Sequence, residues 1–331
     1  MQAIADSLKS LEIAEPQMFA NLACFPLVGA GSLEASPQYL LLDEALAQGL
    51  AVVSEVSEGG SAPNLRFENR ADRPVLLVDG EELIGARQNR VLNLTILVAP
   101  HKTIIIPVSC VERGRWRYDS REFHSSSRTL YASARAEKMA HVSRSLRARG
   151  TRHADQSALW DSIARKSSIA EYRSPTEAMA DLFEYRRPKI RHYCEALHSV
   201  SSQVGAVFAI DGKVVGLELF DHAETFRRLL PKIASSYALD AVELEEAHQE
   251  MPTEATVRDF LNRSISAKAD DYPAVGEGRD VRLRAEKLSG GALVVDDRVV
   301  HLSAFAERNF NDDEIDLFSL PDPTGRRWPR Q

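Results

Sequence analysis

Two strand-like runs, Val91 to Val98 and Thr103 to Val111, are separated only by Ala99-Pro100-His101-Lys102, and that constrains the fold more than any other feature. A parallel crossover needs a dozen or more residues, so these runs can pair only as antiparallel neighbours. Leu22 to Val28, Ala51 to Val56, Asn64 to Asn69 and Val75 to Val78 read as further strands. Asp79-Gly80, between apolar flanks, is the signature of a two-residue hairpin. The first third therefore predicts a mostly antiparallel sheet.

From Ser125 to Val200 the apolar spacing becomes helical, as in Met139, Val142 and Leu146, with breaks at Gly150-Thr151 and Ser174-Pro175. Beyond it, Val204 to Ile210, the turn Asp211-Gly212 and Val214 to Phe220 read as a second hairpin. Helices over Glu224 to Tyr237 and Glu254 to Ile265 precede late strands over Val281 to Glu286, Ala292 to Val295 and Val299 to Phe305. The expected class is α+β: an antiparallel N-terminal sheet, a helical middle and a C-terminal mixed α/β hairpin region. One integrated domain should cover residues 1–306, β-rich over 20–123, helical over 124–200 and mixed over 201–306, before a loosely held tail over 307–331.

Polar groups interrupt the ends of the apolar strands. Asp79-Gly80-Glu81-Glu82 follows one strand and leads to Gln88-Asn89-Arg90, while Cys110-Val111-Glu112-Arg113-Gly114-Arg115-Trp116 ends another. Burying such groups is costly unless they are paired or used. If both strands bury their even-numbered faces together, Arg90 falls opposite either Cys110 or Glu112. Arg90, Cys110 and Glu112 then share one side at the rim of the sheet, with Arg90 and Glu112 expected within ion-pair or one-water reach. Cys110 reads most simply as a small buried hydrophobe. Glu81 and Glu112 are the candidate acid/base carboxylates, and Gln88, Asn89, Arg90, Arg115 and Trp116 the candidate ligand contacts. For each, a structural reading stays open: ion pairing for the carboxylates, turn capping for the amides, cover of the sheet end for the tryptophan. Gln156 and Trp160 share a helical face.

Several functions are disfavoured. The net charge is -7, yet Arg113, Arg115, Arg117, Arg121, Arg128, Arg135, Lys138, Arg144, Arg147, Arg149 and Arg152 face only Asp119, Glu122 and Glu137 in the same stretch. That asymmetry could attract phosphates, or it could be a solvated helix face. Gly29-Ala30-Gly31 lacks the rest of a dinucleotide fingerprint, and there is no phosphate loop and no HExxH. Cys24, Cys110 and Cys194 lie far apart without CxxC, which excludes a disulfide framework and a cysteine zinc site. His192, Cys194, Glu195 and His198 are the densest group of possible ligands, but the histidines point to different sides of a helix. No metal and no cofactor are expected. The N-terminus carries no leader-like pattern, and the run from Val91 to Pro100 is half the length of a membrane span, so a soluble, cytoplasmic protein is expected.

The blocks Leu77 to Arg90 and Pro107 to Trp116, with Asn21 to Pro26, Leu42 to Ala45 and the Gln156–Trp160 pair, resemble the ADP-ribosylglycohydrolase- and rhodanese-phosphatase-superfamily-associated protein domain. The resemblance extends to about Tyr237, and Arg87 departs from it by standing where the family more often has Lys. It implies a bacterial cytosolic protein near NAD or ADP-ribose metabolism, with Glu81, Gln88, Asn89, Arg90, Glu112, Arg115 and Trp116 as the shared site. The expected function is binding of an ADP-ribose-like or other phosphorylated nucleotide metabolite, with hydrolysis as the reaction if one occurs. The alternatives are a non-catalytic sensor or interaction module in an NAD- or ADP-ribose-linked system, and a nucleic-acid binder through residues 113–152. The expected partner is a nucleotide-type small molecule, with no membrane and no nucleic acid; oligomeric state is left open.

Overall fold

A computed structural model describes residues 2–29, 36–57, 63–115, 120–244 and 250–306. Trp116 and the expected tail over 307–331 lie outside the described residues. The class is α+β, with sheets antiparallel except for one pairing.

Six strands of the first 130 residues lie in the order Phe123–Thr129, Glu81–Gly85, Arg90–Leu92, Thr103–Cys110, Asn64–Asn69, Ala51–Glu55. A single bridge between Ser54 and Glu122 joins the two edge strands, so the sheet closes on itself. Its alternate residues Val53, Leu65, Phe67, Leu83, Leu92, Ile106, Val108 and Phe123 turn into one apolar core with Leu42 and Ala45 of the short helix Leu42–Ala47. A small adjunct sheet pairs Ile96–Val98 with Val75–Leu77, and Leu40–Leu41 runs parallel to the latter.

A nine-stranded antiparallel sheet forms the second half. It runs Glu12–Ile13, Leu22–Val28, Gln203–Ile210, Lys213–Phe220, Arg298–Ala306, Leu288–Val295, Arg279–Ala285, Lys268–Pro273, with Gln17–Phe19 also on Leu22–Val28. The three N-terminal strands thus form one edge of a sheet whose other strands come from residues 203–306. Helices Gln2–Lys9 and Glu254–Ser266 cover one face through Ile4, Leu8, Val257 and Phe260. Helix Ala223–Ala241 packs on the other, backed by Ala132–Arg149, Gln156–Ile169 and Met179–Ala196.

Three expectations are corrected. Asp79-Gly80 makes a turn, with the Glu81 N–H donating to the Val78 carbonyl at 3.1 Å, but no hairpin. Val75–Leu77 pairs with Ile96–Val98, whereas Glu81–Gly85 pairs with Phe123–Thr129 and Arg90–Leu92. The turn therefore passes the chain from one sheet to another. Second, Val91 to Val98 is two strands in two sheets, broken at Asn93-Leu94-Thr95. Third, Ser125 to Thr129 is strand rather than helix; it carries a register shift between Ser125 and Thr129, with Ser127 at φ 57°.

Candidate functional site

The rim cluster starts from a bend. Gly85 has φ 124° and Ala86 φ 41°, which turns the chain out of its strand. A Cβ at Gly85 would lie 2.6 Å from Ser120 Oγ and 2.7 Å from the Glu122 carbonyl, so only glycine allows this approach. Arg115 reaches across to hold the bend. Its Nη1 donates to the Ala86 carbonyl at 2.9 Å, and its Nη2 donates to Asn89 Oδ1 at 3.0 Å. Its Nε lies 2.9 Å from each oxygen of Glu112, and Nη2 lies 2.7 Å from Oε2. The Asn89 N–H donates to the same carboxylate at 3.1 Å. Glu112, Asn89 and Arg115 are one clamp.

Arg90 lies opposite Cys110, one of the two registers that burial of the even faces allows. Arg90 and Glu112 form no direct ion pair. Nη1 instead donates to the Gln88 carbonyl at 3.2 Å and to Gln88 Oε1 at 3.1 Å, while Glu112 is taken by Arg115. Burial pushes the guanidinium of Arg90 down from its ordinary pKa. Cys110 is buried and its thiol is pushed up by desolvation, as a packing residue should be. Gln156 acts on its backbone: the Cys110 N–H donates to Oε1 and its carbonyl accepts from Nε2, both at 2.8 Å. A side-chain amide here completes a strand ladder.

Glu81 is not part of this cluster. Lys232 of helix Ala223–Ala241 donates to its Oε1 at 2.7 Å, and the Val78 N–H donates to Oε2 at 2.8 Å. Lys232 also pairs with Asp43 at 2.6 Å. Burial raises the Glu81 pKa, with Lys232 opposing. Next to it, Asp79 enters a seam between the closed sheet and the nine-stranded one. Lys138 bonds its carboxylate, and Arg135 Nε lies 3.6 Å away. Arg135 meets Glu218 through two contacts, at 2.5 and 3.2 Å. Tyr237 donates to Glu218 at 3.2 Å, and His301 sits between Glu218 Oε2 at 3.3 Å and Thr95 Oγ1 at 2.7 Å. The Asp79 N–H, donating to Thr95 Oγ1 at 3.0 Å, closes the ring. Burial alone would raise the Glu218 pKa; Arg135 and His301 overcome it and hold the carboxyl low.

Glu82 is the residue that sequence reasoning passed over. It has no exposed surface, and neither carboxyl oxygen is aligned in a hydrogen bond. Its closest cation, Arg128, is 3.9 Å away. Desolvation lifts its pKa to about 7, the hydroxyl of Ser126 and the charge of Arg128 lower it, and Glu112 and Asp181 add to the rise. A carboxyl of this kind is a marker of functional sites.

Six cations of the Arg-rich stretch are paired within the molecule, and Arg135 and Lys138 are buried. Arg115, Arg128, Arg135, Lys138, Arg147 and Arg152 face Glu112, Glu184, Glu218, Asp79, Asp270 and Asp280 respectively. The charge asymmetry of the sequence is cancelled mostly by carboxylates from distant segments. Arg113 is exposed, its guanidinium 5.5 Å from the centre of the Trp160 ring. Among the described residues no group of His, Cys, Asp or Glu could hold a metal ion, and no helix is long and apolar enough to cross a membrane.

A family model described as the ARG and Rhodanese-Phosphatase-superfamily-associated Protein domain matches residues 10–305. The chain belongs to that family. No curated protein and no solved structure matches it.

Proposed function

We propose that this member of the family binds an ADP-ribose-like or other phosphorylated nucleotide metabolite at the rim formed by Gln88, Asn89, Arg90, Glu112 and Arg115, and senses it rather than hydrolysing it. The family's description associates it with ARG proteins, which supports the ligand class. One contrast carries the reading. Both nominated acid/base carboxylates are fixed by cations and amides, Glu81 by Lys232 and Glu112 by Arg115, so they hold geometry rather than move protons. The rim nevertheless keeps donors in hand: Gln88 Nε2 donates to no described residue, and Arg113 is exposed beside Glu112. An amide and a guanidinium on a rigid frame suit a ribose or base edge and a phosphate.

Thermal unfolding of the purified protein with ADP-ribose, NAD, AMP and inorganic phosphate tests this. A ligand that binds only the folded state at a hundred times its Kd stabilises by about 2.7 kcal/mol. ADP-ribose should raise the melting temperature more than phosphate does, and incubation should leave it intact. No shift with any of these compounds would overturn the binding reading. Release of ribose phosphate or nucleoside monophosphate would restore hydrolysis.

A further inference from the structure

Arg128 stands between two carboxylates of opposite character. Its Nη1 points to the fully buried Glu82 at 3.9 Å, and its Nη2 bonds Glu184, whose side chain is 46% exposed. Arg128 itself sits on the irregular stretch of strand Phe123–Thr129, beside the register shift and the left-handed Ser127. Glu184 belongs to helix Met179–Ala196. The lead-in to that helix is bonded to the rim: the Met179 N–H donates to the Val111 carbonyl at 2.9 Å, and the Gly114 N–H donates to the Thr176 carbonyl at 2.8 Å. Glu82 lies on the strand that ends at Gly85, where the Arg115 clamp takes hold. One guanidinium thus links the strand before the rim to the helix after it.

We propose that Glu82, Arg128 and Glu184 form a proton-operated latch, in which ionisation of Glu82 draws Arg128 inward and away from Glu184, releasing helix Met179–Ala196 from Arg128. A buried carboxylate without aligned hydrogen bonds requires a cation when it ionises, and Arg128 is the closest. The other charged groups around Glu82 reinforce this. Glu112, already neutralised by Arg115, and Asp181, which accepts from Ser174 Oγ at 2.5 Å, both oppose its ionisation. Ser126 offers a hydroxyl but no charge. The neutral form of Glu82 leaves Arg128 to Glu184, and the ionised form competes for it. Its ionisation falls near neutral pH, where a small change in acidity moves the population. This device does not depend on the ligand proposed above.

The test is a carboxyl titration of the intact chain carrying 13C-labelled glutamate, with hydrogen exchange over residues 179–196 followed in parallel. One resonance, absent from Glu82→Gln, should titrate near pH 7, and exchange in the helix, corrected for its intrinsic pH dependence, should rise through the same range. Glu184→Gln, a change at an exposed position, removes the competitor and should lower that midpoint by about one pH unit. If Glu82→Gln fails to fold, the Glu184→Gln comparison alone decides. A midpoint near the ordinary glutamate value, or one that Glu184→Gln does not move, overturns the latch. A helix whose corrected exchange is flat across the titration also overturns it.

Discussion

The seam around Asp79 and the rim around Glu112 both centre on an Arg–Glu pair but are joined differently. In the seam, Asp79, Arg135, Glu218, His301 and Thr95 form a closed ring with Lys138 attached at Asp79, and these residues come from the turn after Val75–Leu77, the break before Ile96–Val98, a helix and two strands of the nine-stranded sheet. At the rim, Arg115 bonds to residues 85–89 and to Glu112, three positions away. The seam locks distant parts of the chain together, while the rim clasps the 85–89 bend to the residues just after strand Thr103–Cys110. Charge that spans elements fixes the fold, and charge that closes a local loop can present donors to a ligand. Glu82 lies between these two arrangements and is satisfied by neither.

The largest effect should come from Arg135→Met. It removes the guanidinium from Glu218, which has no exposed surface and keeps only Tyr237 and His301, and it removes one partner of Asp79. Denaturant unfolding should show a loss of about 3–5 kcal/mol, the range for breaking a buried pair; a loss no greater than that of an exposed pair would mean that the seam is no lock. Next comes the pH dependence of stability. The Glu82 pKa is raised from 4.5 to about 7 on folding, so between those values the folded state binds more protons than the unfolded one. This contribution is therefore present below pH ~4.5 and is lost as pH rises through ~7, about 3 kcal/mol in all. Subtracting the Glu82→Gln profile from that of wild type should reveal this slope, and a flat difference would return Glu82 to an ordinary buried carboxylate. Gly80→Ala should cost less, about 1–3 kcal/mol by chemical denaturation. Gly80 has φ 84°, and an added Cβ would meet Thr129 Oγ1 at 2.7 Å and Arg135 Cδ at 3.0 Å. The smallest effect should follow Arg191→Ala, which removes an exposed pair with Glu195 and should leave the unfolding curve in place.

Much of the fold was legible because apolar periodicity reports burial directly. Leu22–Val28 and Asn64–Asn69 form as read, the hairpin Gln203–Ile210 with Lys213–Phe220 closes around Asp211-Gly212, and Arg90 takes a register that shared burial allowed. The Asp79-Gly80 turn shows where such reading stops. Asp211 and Gly212 have φ 51° and 71°, as a tight hairpin requires, whereas at the other turn only Gly80 is positive, at 84°. The dipeptides and their apolar flanks are alike, and only tertiary packing separates a hairpin from a change of sheet. Val91 to Val98 hid its break because both sheets bury it fully. Phe123–Thr129 looked helical in context because its middle is half exposed and Ser-rich, with no alternating apolar face.

The candidate site was legible as a list but not as an arrangement. Glu112, Arg115 and Asn89 come together as a unit, yet Glu81 departs to Lys232, 151 residues along the chain. No local pattern announces such a partner. Glu81 and Glu82 are adjacent and chemically equal in the sequence, and one is paired while the other is not, because successive strand residues point to opposite faces. Gln156 was marked for its place on a helix face, but its bond to the backbone of Cys110 appears only once strand and helix are packed.

Binding at the rim is tested most directly by Gln88→Glu/Arg113→Gln, which removes the two donors that the clamp leaves unused and keeps the Gln88 oxygen position that accepts from Arg90, measured for melting temperature with and without ADP-ribose beside Arg135→Met. The double variant should melt within a few degrees of wild type and lose the ADP-ribose shift, while Arg135→Met should melt far lower. A double variant that keeps the wild-type ADP-ribose shift, or that melts as low as Arg135→Met, would contradict the assignment of the rim to ligand and the seam to structure.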